Sequence, residues 1–190
     1  MYIAIEGCIA SGKSSTAELL ADSLGFALVK EQTLKHPFIA EFYSDQARFA
    51  LETELGFVLV HYHQLNQLRA TDIVADFSPA KDLVFAQMNL VGRDLDIFMS
   101  LYDKLNERVP RPDVAIFLDL PVRECWLRSM ARGRPFEAGI RLEYLEELRS
   151  HYFRTLQGLG KEVRVLEIQP EESLTEVATA VKSLIDEASS

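Results

Sequence analysis

Residues near the start of the chain match the phosphate-binding pattern GxxxxGK[ST]. An apolar run over residues 2–6 precedes the pattern and a helical pattern follows it from Thr16, so the order is strand, loop, helix. In such a unit the loop N–H groups and the helix N-terminus bind phosphate, Lys13 reaches the terminal phosphates, and Ser14 offers its hydroxyl to Mg²⁺. The pattern predicts a nucleoside triphosphate site formed by Gly7, Cys8, Ile9, Ala10, Ser11, Gly12, Lys13, Ser14 and Ser15.

Strand and helix patterns alternate along the rest of the chain. Apolar runs predict strands at 26–29, 72–75, 113–118 and 163–168, in addition to 2–6. Helical patterns cover 48–69, 83–106, 122–131, 138–157 and 171–187. This alternation indicates an α/β three-layer sandwich with a central parallel sheet of five strands, built as one domain over residues 1–190.

Ligands of such a sheet lie beyond the carboxyl ends of its strands. Three acidic residues follow predicted strands: Glu31 after the second, Asp76 at the end of the third, and Asp82 a few residues later. These side chains are candidates for proton transfer and metal binding. Solvated loop carboxylates, the usual state of Asp and Glu, are the alternative interpretation.

A basic stretch lies on the predicted helix 122–131 and just beyond it, with Arg128, Arg132 and Arg134. Arg128 and Arg132 are four residues apart and share one face. Such arginines can form a mobile lid that stabilises the charge of a transferred phosphoryl group and excludes water. A solvated basic face that pairs with Glu137 and neighbouring glutamates is the alternative interpretation.

Composition narrows the possible partners. The 190 residues carry 29 Asp and Glu against 20 Lys and Arg, and the net charge of −9 argues against a nucleic acid polymer as substrate. The two cysteines, Cys8 and Cys125, suggest neither a disulfide framework nor a metal site. No leader or membrane span is visible in the sequence, so we expect a cytoplasmic protein.

Taken together, these motifs resemble the deoxynucleoside kinase family over nearly all of residues 1–157. The resemblance is carried by GCIASGKSS, Glu31, the Phe42-Tyr43-Ser44-Asp45 segment with Arg48, residues 76–86, Arg132-Gly133-Arg134, Glu137, and Tyr144-Leu145. It implies a P-loop kinase fold with an arginine-rich lid and transfer of phosphate from ATP·Mg²⁺ to the 5′-hydroxyl of a deoxynucleoside. It also implies a homodimer built from long helices, here 48–69 and 83–106.

The resemblance also implies roles for particular residues. Glu31 matches the general base, and Asp76 matches the acid that binds Mg²⁺ opposite Ser14. Tyr43 and Glu137 match the pair that holds the 3′-hydroxyl of the sugar. The residues that act on the phosphates are Lys13 and the lid arginines, Arg128, Arg132 and Arg134.

In the resemblance, Glu54 and Asp82 match the positions that read the base, and His61 matches a position where relatives often carry an arginine that orients the acid. Two ionised carboxylates can only accept hydrogen bonds, which favours bases with an amino group and makes thymidine a poor substrate. We expect purine deoxynucleosides to be preferred, followed by deoxycytidine. The alternative is structural: Tyr43 can belong to an aromatic core cluster, and Glu54 and His61 can form an exposed pair on one helix.

One position departs from the family pattern. Phe77 stands where the family commonly has an arginine that reaches the 5′-hydroxyl and the phosphate. We hypothesise that Lys81 replaces this charge from the other end of the loop.

Other functions remain open at this stage. A nucleoside monophosphate kinase of the thymidylate kinase type also joins a phosphate loop to a basic lid, but it needs arginines for the acceptor phosphate. Between Glu31 and Asp82 the basic residues are Lys35, Arg48, Arg69 and Lys81, which suits a neutral nucleoside better. A non-catalytic ATP-binding module is a third possibility, although it has no need of Glu31.

The segment 169–172, near the end of the chain, is a candidate contact for the adenine of ATP.

Overall fold

The computed structural model describes residues 1–33, 36–68, 72–158 and 163–188, in which five strands and eight α-helices alternate. The strands are β1 (Tyr2–Gly7), β2 (Ala27–Val29), β3 (Ile73–Ala75), β4 (Val114–Asp119) and β5 (Val163–Glu167). The helices are α1 (Lys13–Leu24), α2 (Ile39–Ser44), α3 (Gln46–Asn66), α4 (Pro79–Asn89), α5 (Gly92–Asn106), α6 (Val122–Arg132), α7 (Leu142–Gly158) and α8 (Leu174–Ala188). A 3₁₀ turn covers Pro135–Glu137.

All five strands are parallel and lie in the order β2-β3-β1-β4-β5. Strand β1 is central, and its register places Ile5 beside Ile116 of β4. Because the strands are parallel, the segments after β1, β2 and β3 leave the sheet at one edge. The predicted five-stranded parallel sheet is confirmed.

Side chains alternate between the two faces of β1, and neighbouring positions of this strand pack in different clusters. Ile3 and Ile5 pack in a cluster that includes Leu20 of α1 and Val181 of α8. Tyr2 and Ala4 belong to a second cluster, with Leu65 of α3. Helices α1 and α8 contact each other, whereas α4 contacts α3, α5 and α7. The molecule therefore has the expected three layers: helices, sheet, helices.

The predicted helix 83–106 is wrong in one respect, because it is two helices. Ser78 caps the N-terminus of α4 through its hydroxyl, and Pro79 occupies the first turn, so this helix begins four residues earlier than predicted. At Leu90 the backbone becomes extended, and α5 begins at Gly92, which has a φ of 56°. Helix α2 was not predicted.

The other boundaries shift by a few residues. Asp45 caps α3 by accepting a hydrogen bond from the backbone N–H of Arg48, so α3 begins at Gln46. The end predicted for this helix at residue 69 lies outside the described residues. Helix α7 begins four residues later than predicted because the 3₁₀ turn precedes it.

Candidate active site

The loop after β1 has the backbone shape that its glycines permit. Gly7 has φ 150° and Gly12 has φ 101°, and a Cβ added to Gly7 would lie 2.5 Å from Ser11 Oγ and 2.9 Å from the carbonyl oxygen of Leu118. Ala10 also has a positive φ, 63°. The Ser11 N–H donates to the carbonyl of Cys8 at 3.1 Å, and α1 begins directly after Gly12. This loop and the N-terminus of α1 form a phosphate-binding turn.

Lys13 folds back onto this loop. Its Nζ donates to the carbonyl oxygens of Gly7 and Cys8 at 2.9 and 2.8 Å. Burial lowers the pKa of Lys13, and repulsion from Lys81 lowers it further. An anion beside this ammonium would relieve both effects, which suits a lysine that binds terminal phosphates.

Ser14 and Asp76 meet at the end of β3. The Ser14 hydroxyl donates to Asp76 Oδ2, and Asp76 Oδ1 accepts the backbone N–H of Glu31 at 2.7 Å. One hydroxyl and one carboxylate form a hard oxygen donor set, which fits Mg²⁺ because this ion retains waters and takes phosphate oxygens as further ligands. Among the described residues there is no group of three or more His, Cys, Asp or Glu side chains that could hold a metal ion by itself.

Glu31 is a largely buried carboxylate with three partners. Oε1 contacts Lys81 Nζ and lies 3.1 Å from His61 Nε2, and Oε2 accepts the Thr33 hydroxyl at 2.6 Å. Burial alone would raise the pKa of Glu31, but the charges and hydrogen bonds of Lys81 and His61 hold it well below its usual range. Glu31 is therefore ionised at neutral pH and able to accept a proton. The contact with Glu31 also agrees with the hypothesis that Lys81 supplies the charge missing at Phe77.

His61 joins Glu31 to Asp82. Its Nδ1 donates to Asp82 Oδ1 at 2.7 Å, and its ring stacks on Phe77 with centroids 4.2 Å apart. Burial opposes protonation, but Asp82 and Glu31 together raise the pKa of His61 to about 9. His61 is thus an imidazolium between two carboxylates. The alternative of an exposed surface pair is wrong, because Glu54 and His61 are only 2% and 1% exposed.

Glu54 lies on α3, the helix that also carries His61. Its Oε1 accepts Asn89 Nδ2 at 2.8 Å. Burial raises the pKa of Glu54 to about 8, Asp82 adds to the rise, and Asn89 opposes it. With a pKa of about 8, Glu54 is protonated in most molecules at neutral pH and can donate a hydrogen bond as well as accept one. The expectation that both Glu54 and Asp82 are ionised acceptors is therefore wrong for Glu54.

A cavity of about 480 Å³ connects these groups. Its lining extends from the phosphate loop to the acids on α3 and α4 and includes Lys13, Ser14, Glu31, Tyr43, Glu54, Asp76, Lys81, Asp82, Arg132, Arg134, Phe136 and Glu137. Tyr43 stacks on Phe136 at 5.9 Å between centroids and also packs beside Phe42. Tyr43 therefore belongs both to an aromatic cluster and to the cavity wall.

The three arginines predicted to form the lid have different partners. Arg132 donates to both carboxylate oxygens of Glu137 at 2.8 and 2.6 Å, and Arg134 donates to Oε1 at 3.2 Å. Arg128 instead binds Glu124 and the carbonyl of Pro170, and it does not line the cavity. The structure thus brings two of the three predicted arginines to the site and places the third beside the segment 169–172.

His36 lies against α3 at Gly56. The His36 ring stacks on Phe57 at 4.1 Å between centroids, and its Nε2 lies 3.0 Å from the carbonyl oxygen of Thr53. A Cβ added to Gly56 would come within 2.4 Å of that Nε2. This glycine is therefore what allows the imidazole to lie against the helix.

Three residues of the site escaped the sequence analysis. Asn89 holds Glu54 and Thr33 holds Glu31, but a polar residue within or near a helix gives no pattern that marks such a role. Glu6 is 1% exposed, and its carboxylate oxygens have no hydrogen-bond partner within the described residues. Burial raises the pKa of Glu6 to about 7, while Ser78, Lys81 and Lys13 oppose the rise. Its position inside an apolar strand was the only available signal.

The distribution of cations bears on the monophosphate kinase alternative. Arg48 is exposed, with its guanidinium 5.2 Å from the centroid of the Phe49 ring, and does not line the cavity. Lys81 is engaged by Glu31. Lys35 and Arg69 lie outside the described residues. On the base-reading side, the described lining offers no arginine cluster for an acceptor phosphate.

The helices of the described segments give no candidate for a bilayer span: none combines sufficient length with sufficient apolar character.

The parallel sheet, the phosphate loop and the adjoining cavity define a P-loop nucleotide-binding protein with an acceptor site. A model of the deoxynucleoside kinase family matches residues 3–190, and the chain belongs to that family. The kinase class and the five-stranded P-loop fold expected from the sequence are thereby confirmed.

Individual relatives agree with this assignment. The chain is 30% identical to a deoxyguanosine kinase of Bacillus subtilis, over 88% of this chain and 85% of the relative. It is 28% identical to a deoxyadenosine kinase of Dictyostelium discoideum, over 88% and 71% of the two chains. A deoxyadenosine/deoxycytidine kinase of Bacillus subtilis is 25% identical, over 99% and 91%.

Solved structures show the same fold. A deoxyadenosine kinase from M. mycoides with bound dCTP superposes with a TM-score of 0.84 at 21% identity, over 98% of this chain and 100% of that chain. The same enzyme with bound dATP gives a TM-score of 0.85.

Proposed function

We propose that this chain transfers the γ-phosphoryl group of ATP·Mg²⁺ to the 5′-hydroxyl of purine deoxynucleosides, with deoxycytidine as a further acceptor. The observation that carries the proposal is Glu31. This ionised carboxylate lies in the cavity between the Ser14 and Asp76 pair and the base-reading acids. A general base for a neutral acceptor belongs at this junction.

The reaction follows from the positions of the groups. Glu31 takes the proton of the 5′-hydroxyl as that oxygen forms a bond to the γ-phosphorus, and the bond to the β,γ-bridging oxygen breaks to release ADP. Lys13 and the loop N–H groups hold the phosphates, and Mg²⁺ would be held by Ser14 and Asp76. Arg132 and Arg134 act as the lid that stabilises charge on the transferred group. Most of the catalysis is positioning and charge stabilisation.

Lys81 takes the role of the arginine that is missing at Phe77. Its ammonium contacts Glu31 directly, and Phe77 fills the vacated space by stacking on His61. In this arrangement Lys81 orients Glu31 and lies within reach of the 5′-oxygen. Tyr43 and Glu137, which line the wall next to Phe136, hold the 3′-hydroxyl.

Arg128 has a different role from the other two arginines. Its bond to the carbonyl of Pro170 places it beside the segment 169–172, which we assign to the adenine of ATP. A second cavity, lined by Asp119, Arg149 and Gln169, adjoins this segment. Arg128 therefore serves the donor nucleoside rather than the transferred phosphate.

A cytoplasmic homodimer that supplies DNA precursors by salvage completes the proposal. Exposed apolar side chains support a contact surface on α3 and α5: Leu59 is 51% exposed and Ile97 is 41% exposed. Sedimentation of the wild type and of Leu59→Glu tests the dimer, and a monomeric wild type would refute it.

The activity is tested by phosphate transfer from ATP·Mg²⁺ to deoxyadenosine, deoxyguanosine, deoxycytidine and thymidine, with their monophosphates in parallel. We expect turnover of deoxynucleosides, and a loss of about 10³-fold in Glu31→Gln with the fold retained. Turnover of monophosphates alone would establish the monophosphate kinase instead. ATP binding without any acceptor would leave a non-catalytic binding module.

A further inference from the structure

Glu54 differs from the other carboxylates of the cavity in the groups that surround it. Glu31 contacts a lysine and an imidazolium, and Asp82 contacts the same imidazolium. Glu54 accepts a hydrogen bond from a neutral amide, that of Asn89, forms none of the ion pairs found among the described residues, and is 2% exposed. Three acids that line one cavity are thus held in two different electrostatic environments.

The groups that face Glu54 come from four elements. His61 lies on its own helix, Lys81 and Asp82 on α4, Tyr43 on α2 and Tyr144 on α7. Burial raises the pKa of Glu54 to about 8, and the charge of Asp82 acts in the same direction. Asn89, Lys81 and His61 oppose the rise, but the two cations are already engaged by Glu31 and Asp82. Both charge states of Glu54 are therefore accessible near neutral pH.

The bond from Asn89 fixes where the proton lies. Because Oε1 accepts the amide N–H, the neutral acid carries its proton on Oε2. Neutral Glu54 then presents one donor beside one acceptor, the pattern of a glutamine amide. Ionised Glu54 presents two acceptors.

These two patterns match different base edges. Adenine and cytosine each place a ring nitrogen acceptor beside an amino donor, which complements the neutral acid. Guanine places its ring N–H beside its amino group, and these two donors complement the carboxylate. A carboxylate facing the ring nitrogen of adenine or cytosine would leave two acceptors opposed and unpaired.

We propose that Glu54 selects the base by its charge state: the neutral acid accepts adenine and cytosine, and the carboxylate favours guanine. The inference rests on the proposed function, because it assumes that the cavity holds a deoxynucleoside. Asp82 Oδ1 is bound by His61 Nδ1 at 2.7 Å, which leaves its other oxygen to accept an amino group of the base. Rejection of thymidine then depends on Asp82 rather than on Glu54.

The test is a competition between equimolar deoxyadenosine and deoxyguanosine at a series of pH values. The ratio of the two monophosphates formed equals the ratio of kcat/KM values, so the titration of groups common to both reactions cancels. The ratio of ionised Glu54 to neutral Glu54 rises tenfold per pH unit. Between about pH 6.5 and about pH 8.5, a span of about two pH units, we expect the deoxyguanosine to deoxyadenosine ratio to rise about 100-fold.

Two variants sharpen the test. Glu54→Gln keeps the donor and acceptor pattern at every pH, so its ratio should stay constant. Glu52→Gln removes a charge from an exposed position on the same helix and should keep the wild-type rise.

Each outcome is decisive. A constant ratio in the wild type, or an equal rise in Glu54→Gln, would overturn the charge-state selection while leaving the kinase intact. Absence of turnover with any deoxynucleoside would overturn the proposed function itself. The wild-type ratio is informative even if Glu54→Gln fails to fold.

Discussion

The phosphate loop and the acceptor cavity share one edge of the sheet but are built in different ways. The loop consists of consecutive residues, and its shape is a property of its backbone, with positive φ at Gly7, Ala10 and Gly12. The cavity collects side chains from α2, α3, α4 and the 3₁₀ turn, and its charges neutralise one another while buried. The phosphate loop should therefore tolerate changes in the side chains around it, whereas each buried charge of the cavity depends on its partner being present.

The largest effect is expected on the loop side. In Lys13→Ala we expect kcat to fall at least about 10³-fold, because the charge that binds the terminal phosphates is lost. The free energy of unfolding should change little, since Lys13 makes only two bonds to loop carbonyls. Initial rates at saturating ATP and urea unfolding measure both. A rate within tenfold of the wild type would contradict the assignment.

The acceptor side should respond in both activity and stability. Lys81→Ala removes the cation that contacts Glu31, and we expect kcat to fall about 10²-fold. Loss of a buried partner also destabilises the fold, so the conservative change is the control. Lys81→Arg restores the charge and should recover most of the rate. Unchanged turnover in Lys81→Ala would refute the replacement of the missing arginine.

The raised pKa of His61 predicts that the free energy of unfolding depends on pH. Its pKa rises on folding from the ordinary value of 6.5 to about 9, so the native state holds the extra proton. The resulting stability is fully present below pH 6.5 and is lost as the pH rises through 9. The loss is on the order of 3 kcal/mol.

Urea unfolding of the wild type and of His61→Gln at both ends of that range isolates this contribution. The difference in the free energy of unfolding between the two proteins should shrink as the pH rises. A difference that is independent of pH would show that His61 is not protonated in the folded protein.

The smallest effect returns to the loop. Ser14→Ala removes the hydroxyl that meets Asp76, and we expect the Mg²⁺ concentration for half-maximal activity to rise about tenfold. Ser14→Thr is the matched control, because GxxxxGK[ST] accepts either residue. An unchanged Mg²⁺ requirement in the alanine variant would remove Ser14 from the metal site.

The same contrast explains what the sequence could predict. The phosphate-loop pattern and the alternation of strands and helices are local features of the sequence, and the five-stranded parallel sheet that they predict was confirmed. The order of the strands was not predicted, because it depends on contacts between distant segments. The division of the predicted helix 83–106 was missed because the extended backbone at Leu90 leaves no Pro and only Gly92 as a signal.

Within the cavity, residue types were predicted but charge states were not. Glu31 and Glu54 are both glutamates, yet Lys81 and His61 lower the pKa of one while burial raises that of the other. Such differences depend on contacts between α3, α4 and the segment after β2. No spacing along the chain reports them. The separation of Arg128 from Arg132 and Arg134 was also not predicted, because it depends on the contact of Arg128 with Pro170, which is distant in the sequence.

Gly56 gives a final consequence for engineering this enzyme. A glycine inside a helix lowers its stability by about 1 kcal/mol relative to alanine, so Gly56→Ala is an obvious choice for raising the melting temperature. The added methyl would displace the His36 ring, which stacks on Phe57 and lies 3.0 Å from the carbonyl oxygen of Thr53. The loss of these two contacts offsets the gain in helix propensity, so we expect that Gly56→Ala will not raise the melting temperature. At this position, a rule that improves helices in general works against the packing of this one.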